Sequence, residues 1–122
     1  MGTLVHALWE CPAIERFWKQ IHNCILEMTT VDFPFCPRLY ILGDPKQVAH
    51  SGYADFILTI IMIGRQVLMR GWKTEGSPSF QDWFVEIGKV AAYEEMAYRR
   101  IDRVDKYMSK WGSYIMYIAA RA

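Results

Sequence analysis

Apolar residues recur along most of this chain at the three- and four-residue intervals of a helix. Ile14, Phe17, Trp18, Ile21, Ile25 and Met28 keep that interval, while Glu15, Arg16, Lys19 and Asn23 fall between them. Pro12 suits a first helical turn, where its missing N–H costs nothing. The pattern predicts an amphipathic helix of roughly four turns. Thr29, Thr30 and Val31 dilute it. Pro34 and Pro37 then impose an extended path, because a proline disfavours the α region in the residue before it. Arg38 to Leu42 reads as a short strand or as an arm packed along the helices. A lone strand has no ladder partner, so the arm is the expectation. Gly43-Asp44-Pro45 reads as a turn.

The segment from Tyr53 to Trp72 carries the strongest signal. Its polar positions, Asp55, Thr59, Gln66, Arg70 and Lys73, trace one narrow stripe, and nearly everything else is apolar. A helix apolar on most of its circumference is buried on several sides, so this one is expected at the centre, with Ile57, Ile60, Ile61 and Leu68 deep. Gly71, Gly76 and Pro78 break it. Ser79 with Asp82 three residues on resembles a capping box, and the helix that follows points Phe80, Trp83, Phe84, Ile87, Val90 and Ala91 inward. That stripe falters at Glu94 and Glu95 and resumes with Tyr98 and Ile101. Glu95–Arg99 and Asp102–Lys106 stand at the i,i+4 spacing of supporting ion pairs. A last helical segment, Val104 to Ile118, carries Tyr107, Met108, Trp111, Ile115 and Ile118, with Gly112 as a kink point. The expected fold is all-α: a small irregular bundle of about four helices, with an extended proline-containing arm between the first two. The last two helices are either continuous or broken near Asp102.

Composition adds exclusions. With 52% hydrophobic and 15% aromatic residues, the chain is no disordered tail. Its 122 residues make one domain at most. The net charge of +1 gives no global nucleic-acid footprint. Residues 1–88 hold 7 Lys and Arg against 9 Asp and Glu, and residues 89–122 hold 7 against 4, so only the last third is basic. Three cysteines, Cys11, Cys24 and Cys36, are no disulfide framework. No signal peptide opens the chain, and the most apolar run, Phe56 to Ile63, is far shorter than the roughly 20 residues that span a bilayer. An intracellular protein without a membrane span is the expectation.

The opening Gly2-Thr3-Leu4-Val5-His6-Ala7-Leu8-Trp9-Glu10-Cys11 resembles the second half of the zinc-binding region that follows the reverse transcriptase domain in LINE-type non-LTR retrotransposons. That family's pattern is Cys-x2-Cys, then Gly-Thr-x2-His-x4-Cys, with a Trp just before the last Cys. His6 and Cys11 match, with Trp9 in place. The likeness continues through Phe17-Trp18, Leu42-Gly43, Trp72, Pro78 with Trp83, and Trp111-Gly112-Ser113-Tyr114, and is nearest the fish branch. It implies a C-terminal piece of the polyprotein, with residues 1–11 a zinc-motif remnant and 12–122 a helical segment. The family's Cys-x2-Cys pair and catalytic residues lie upstream of the matched stretch. His6 and Cys11 are therefore an incomplete half-site, and two ligands cannot close the tetrahedral site of a structural zinc. Cys24, Cys36, His22 or His50 could complete it only by converging. No cofactor is expected.

Two function classes follow. Arg99, Arg100, Arg103, Lys106 and Lys110, with Trp111, have the chemistry of non-specific RNA or single-stranded DNA binding: cations for phosphates and a ring for an unpaired base. If residues 96 to 111 are one helix, Arg99, Arg103, Lys106 and Lys110 form a row. The resemblance implies a role near template RNA or target DNA, whereas charge alone favours a solvated helix face, since Asp102 and Asp105 dilute the set. The alternative class is a helical protein-interaction or purely structural remnant, by partner or self-association. Met62, Met69, Met96, Met108 and Met116 would suit a partner groove, but their helical spacing assigns them to the core. Asp44, Asp55, Asp82 and His50 compose no catalytic motif, so no enzyme is expected.

Overall fold

The computed structural model describes residues 11–71 and 79–121. These form a small all-α bundle with no strand among them: α1 (Pro12–Thr29), α2 (Pro37–Tyr40), α3 (Ala54–Gly71), α4 (Phe80–Arg100) and α5 (Val104–Arg121). His6, Trp72 and Pro78 lie outside the described residues, as does the side chain of His50.

Helix α1 starts at Pro12 and buries Ile14, Phe17, Trp18, Ile21, Ile25 and Met28, the residues its periodicity selects. It stops because Thr30 turns left-handed at φ 56°, its N–H bonding back to the Leu26 carbonyl. The buried Thr29 hydroxyl donates to the Ile25 carbonyl at 2.8 Å, so it carries no unpaired polar group into the core. The expected arm is only half extended. Residues 30–36 run without helix, but Pro37 opens a single helical turn, as it can at a first position. That turn and the residue after it drive Leu39, Tyr40 and Ile41 into the core.

Helix α3 is the hub, packing against α1, α2, α4 and α5. Ile57, Ile60 and Ile61 are wholly buried and Leu68 nearly so. Ser79 caps α4, its hydroxyl accepting from the Gln81 and Asp82 N–H groups at 3.1 and 3.4 Å. Trp83, wholly buried, donates its indole N–H to the Ile60 carbonyl at 2.8 Å and ties α4 to α3.

Between α4 and α5 the chain breaks at Asp102, which takes φ 57°. The Arg103 N–H bonds to the Tyr98 carbonyl at 2.9 Å and the Asp102 N–H to the Arg99 carbonyl at 3.1 Å. This is a Schellman stop with aspartate in the position glycine usually fills. Residues 96 to 111 are therefore two helices. The expected Asp102–Lys106 pair does not form, since Asp102 belongs to the link; Asp105 pairs with Arg103 instead, at 3.2 Å. The Glu95–Arg99 pair forms at 2.7 Å. Helix α5 runs unbroken through Gly112.

Candidate functional site

The candidate cations are held to different degrees. Arg99, in the last turn of α4, lies against Glu95, and Arg103, in the link, is bidentate to Asp105. Lys110 is the least available. Its side chain is 13% exposed and its ammonium sits 3.1 Å from Glu94 and 3.8 Å from Asp55. Arg100 and Lys106 are exposed and form no ion pair among the described residues. The break at Asp102 turns the expected row into a cluster of cations around the elbow, with Lys110 folded inward.

Trp111 is corrected outright as a base-stacking residue. It is wholly buried, edge-on to Phe56 at 5.4 Å, and its indole N–H donates to Glu94 Oε1 at 2.9 Å. A ring packed on both its apolar faces offers no platform to a base. Glu94 thus binds both Trp111 and Lys110, which explains why the apolar stripe of α4 is interrupted there: the carboxylate accepts from the α5 side chains that cross it.

Among the described residues the candidate metal ligands do not converge. Cys11 is exposed and Cys24 is buried. Burial pushes the Cys24 thiol pKa up, and its Sγ lies 3.7 Å from Tyr117 Oη. His22 faces the other way, with Nδ1 2.7 Å from the Tyr40 hydroxyl and its ring against Phe33 and Phe35. Among the described residues no group of three or more His, Cys, Asp or Glu gathers. The described residues therefore do not fit a closed zinc site.

The surface holds what the sequence assigned to the interior. All five methionines expected in the core, Met62, Met69, Met96, Met108 and Met116, are exposed. The reason is helical phase. In α4 the buried line runs Trp83–Ile87–Ala91, leaving Val85, Ala92 and Met96 on the opposite face. In α5 the buried line is Tyr107–Trp111–Tyr114, which leaves Met108, Ile115 and Ile118 to one side. Between the helices runs an open furrow of about 420 Å³, with Gly88, Ala92 and Glu95 on one wall and Met108, Ile115 and Ile118 on the other. Met96, 62% exposed and one turn beyond Ala92, extends the apolar ground along α4. Sequence could have flagged this face. Met96 stands 13 positions after Trp83, out of register with the tryptophan that anchors its helix.

A second hollow, polar and shallow, lies where the starts of α3 and α5 meet, lined by Tyr53, Asp55, Tyr98, Asp105, Lys106 and Lys110. Its two aspartates balance its two lysines, so it carries no net attraction for an anion. No described helix is long and apolar enough to cross a membrane. The chain matches no protein-family model and no solved structure.

Proposed function

We propose that this chain is a non-catalytic protein-interaction segment, derived from the C-terminal part of a LINE-type reverse transcriptase polyprotein, and that its α4–α5 face is the part that meets protein. The observation that carries the contact role is the exposure of Met108 and Ile118 on the furrow wall together with Val85 and Met96 on the Ala92 face of α4. Contiguous exposed apolar ground of this kind marks an interaction site, and methionine, flexible and polarisable, recurs on such surfaces. The origin is supported by the motif succession from His6 and Cys11 through Trp83 to Trp111–Tyr114. The reading frame upstream of residue 1 tests it: a polymerase domain and a Cys-x2-Cys pair are expected there.

Hydrogen exchange tests the contact role. It is read at low and high concentration of the chain, and again with the polypeptide encoded immediately upstream added. Protection of residues 85–96 and 108–118 in at least one of these arms is the expected result. Exchange unchanged in all of them overturns the reading.

One observation favours a second reading, weak single-strand binding: Arg100 and Lys106 are exposed without ion pairs. The pairs held by Arg99 and Arg103 are exposed surface pairs that water and salt weaken, so phosphate could replace their carboxylates. A labelled single-stranded RNA separates the two. Four elbow contacts would give a log–log salt slope of roughly −3, lost when Arg100 and Lys106 become Glu. The interaction reading expects no such dependence.

A further inference from the structure

We infer that the partner of the α4–α5 face is a second copy of this chain, paired antiparallel along α4 about a two-fold axis at Ala92. The inference rests on the reading of this face as a protein contact and names its occupant. Three features of α4 point to it.

The first is its charge. The helix carries Asp82 and Glu86 near its start, Glu86 already shared with Lys89 and Arg70, and Arg99 and Arg100 at its end, Arg99 already paired with Glu95. A parallel copy would set like charges side by side. An antiparallel copy sets the acidic start of one against the basic end of the other, and the helix dipoles oppose favourably as well. The second is register. At 1.5 Å per residue, Arg100 lies about 12 Å beyond Ala92, while Glu86 and Asp82 lie about 9 and 15 Å before it. In an antiparallel pair centred on Ala92, Arg100 of the partner subunit falls between Glu86 and Asp82 along the axis. At 100° per residue these three also share one flank of the helix.

The third is relief. Ala92 at the centre lets the backbones approach, and Gly88 and Met96, four residues to either side of it, come opposite each other. A methionine knob then meets a glycine hole, twice by symmetry, which is the self-complementarity an isologous interface needs. Inside the protomer nothing demands the glycine strongly: an added Cβ at residue 88 would first meet Tyr114 Oη at 3.4 Å. Val85 comes opposite the stem of the partner's Arg99, and the furrow walls from α5 close over the flank.

Sedimentation velocity over a range of concentrations, with the intact chain, tests this. A reversible dimer is expected. Asp82→Lys or Arg100→Asp alone should weaken it about tenfold, and the two together should restore it to within about threefold, because the pair is reciprocal. Met96→Glu should abolish it with the melting temperature held. A cysteine probe fixes the axis. In a Cys11→Ser, Cys36→Ser background, Ala92→Cys should cross-link under mild oxidation, whereas Asn23→Cys on the exposed side of α1 should not. A chain monomeric at every concentration overturns the inference, as does a dimer insensitive to Met96→Glu and to both charge swaps. If such a monomer still gains protection on α4–α5 from the upstream polypeptide, only the second copy is lost; if it does not, the interaction reading falls with it.

Discussion

The helix α3 and the α4–α5 hairpin are both rich in apolar residues but place them differently. Along α3, Phe56, Ile57, Ile60, Ile61, Ile63, Val67 and Leu68 are all buried, because neighbours cover the helix on several sides. Along the hairpin large rings carry most of the burial, with Ile87 and Ala91 beside them. Trp83, Tyr107, Trp111 and Tyr114 are buried, and Trp83 and Trp111 each place the indole N–H on an oxygen, at Ile60 and Glu94. An aromatic ring buries much area from one position and finishes in a directional bond. Anchored by so few residues, the hairpin leaves the rest of its apolar surface outward. The difference teaches that apolar content does not locate a core; phase against the anchoring residues does.

The sharpest way to break that comparison is to charge each region in turn. Ile61→Asp buries an uncompensated carboxylate at the centre of α3 and should cost several kcal/mol, on the order of 3 or more. Met96→Asp on α4 should stay within about 0.5 kcal/mol in the monomer, as surface changes do. Chemical denaturation of dilute protein measures both. Equal losses would mean that the outer face of α4 is packed within the protomer.

A subtler probe of the α3 side is the helix crossing. Gly64 lies where α3 meets α1, and an added Cβ would come 2.9 Å from Trp18 Cζ3 and 3.1 Å from Ile21 Cδ1. Both neighbours are themselves wholly buried, so neither can swing away. Gly64→Ala should therefore destabilise by about 1–3 kcal/mol through overpacking, despite the better helix propensity of alanine. An unchanged midpoint of unfolding would show that the crossing is loose.

The α1–α2 contact also gives a pH dependence. Burial lowers the His22 pKa below its ordinary 6.5, with Asp32 opposing more weakly. The neutral ring can accept from the Tyr40 hydroxyl at Nδ1; the protonated ring cannot. The unfolded chain thus takes up a proton before the folded one does. Stability should be full above about pH 6.5 and fall as pH drops toward the lower folded value, below which this contribution levels off. The titration of stability for His22→Gln should lack that step. An identical profile in the two proteins would remove His22 from the account.

How far could this have been read from residues alone? The buried face of α1 and the depth of Ile57, Ile60, Ile61 and Leu68 follow from periodicity, because packing there agrees with local pattern. The start of α4 follows from Ser79. The break at Asp102 is not decided by sequence, because an aspartate entering the left-handed region is signalled only weakly, whereas a glycine would announce the stop. The cation row failed with that break. Trp111 failed for another reason: a tryptophan beside lysines reads alike as a stacking platform or as an anchor, and only the position of Glu94 across the hairpin decides. The methionines went to the core because helical spacing tells how residues share a face, not which face is covered.

The smallest effect contrasts two glycines within helices. Gly112 sits in α5 as Gly64 sits in α3, yet nothing lies within 4 Å of a Cβ added at Gly112. The helix runs through it unbroken, so the residue brings the conformational freedom of glycine to the unfolded chain and no close approach to the folded one. Gly112→Ala should then stabilise by about 0.5–1 kcal/mol, a rise of roughly 2–5 °C in Tm for a domain of this size. The same substitution thus has opposite signs on the two sides of the bundle, lowering stability where α3 is clasped by α1 and raising it where α5 faces outward. Thermal unfolding at low protein concentration, where association does not contribute, reads this directly. A fall in Tm for Gly112→Ala would show that the outer side of α5 is crowded within the protomer, and the contrast with Gly64 would be lost.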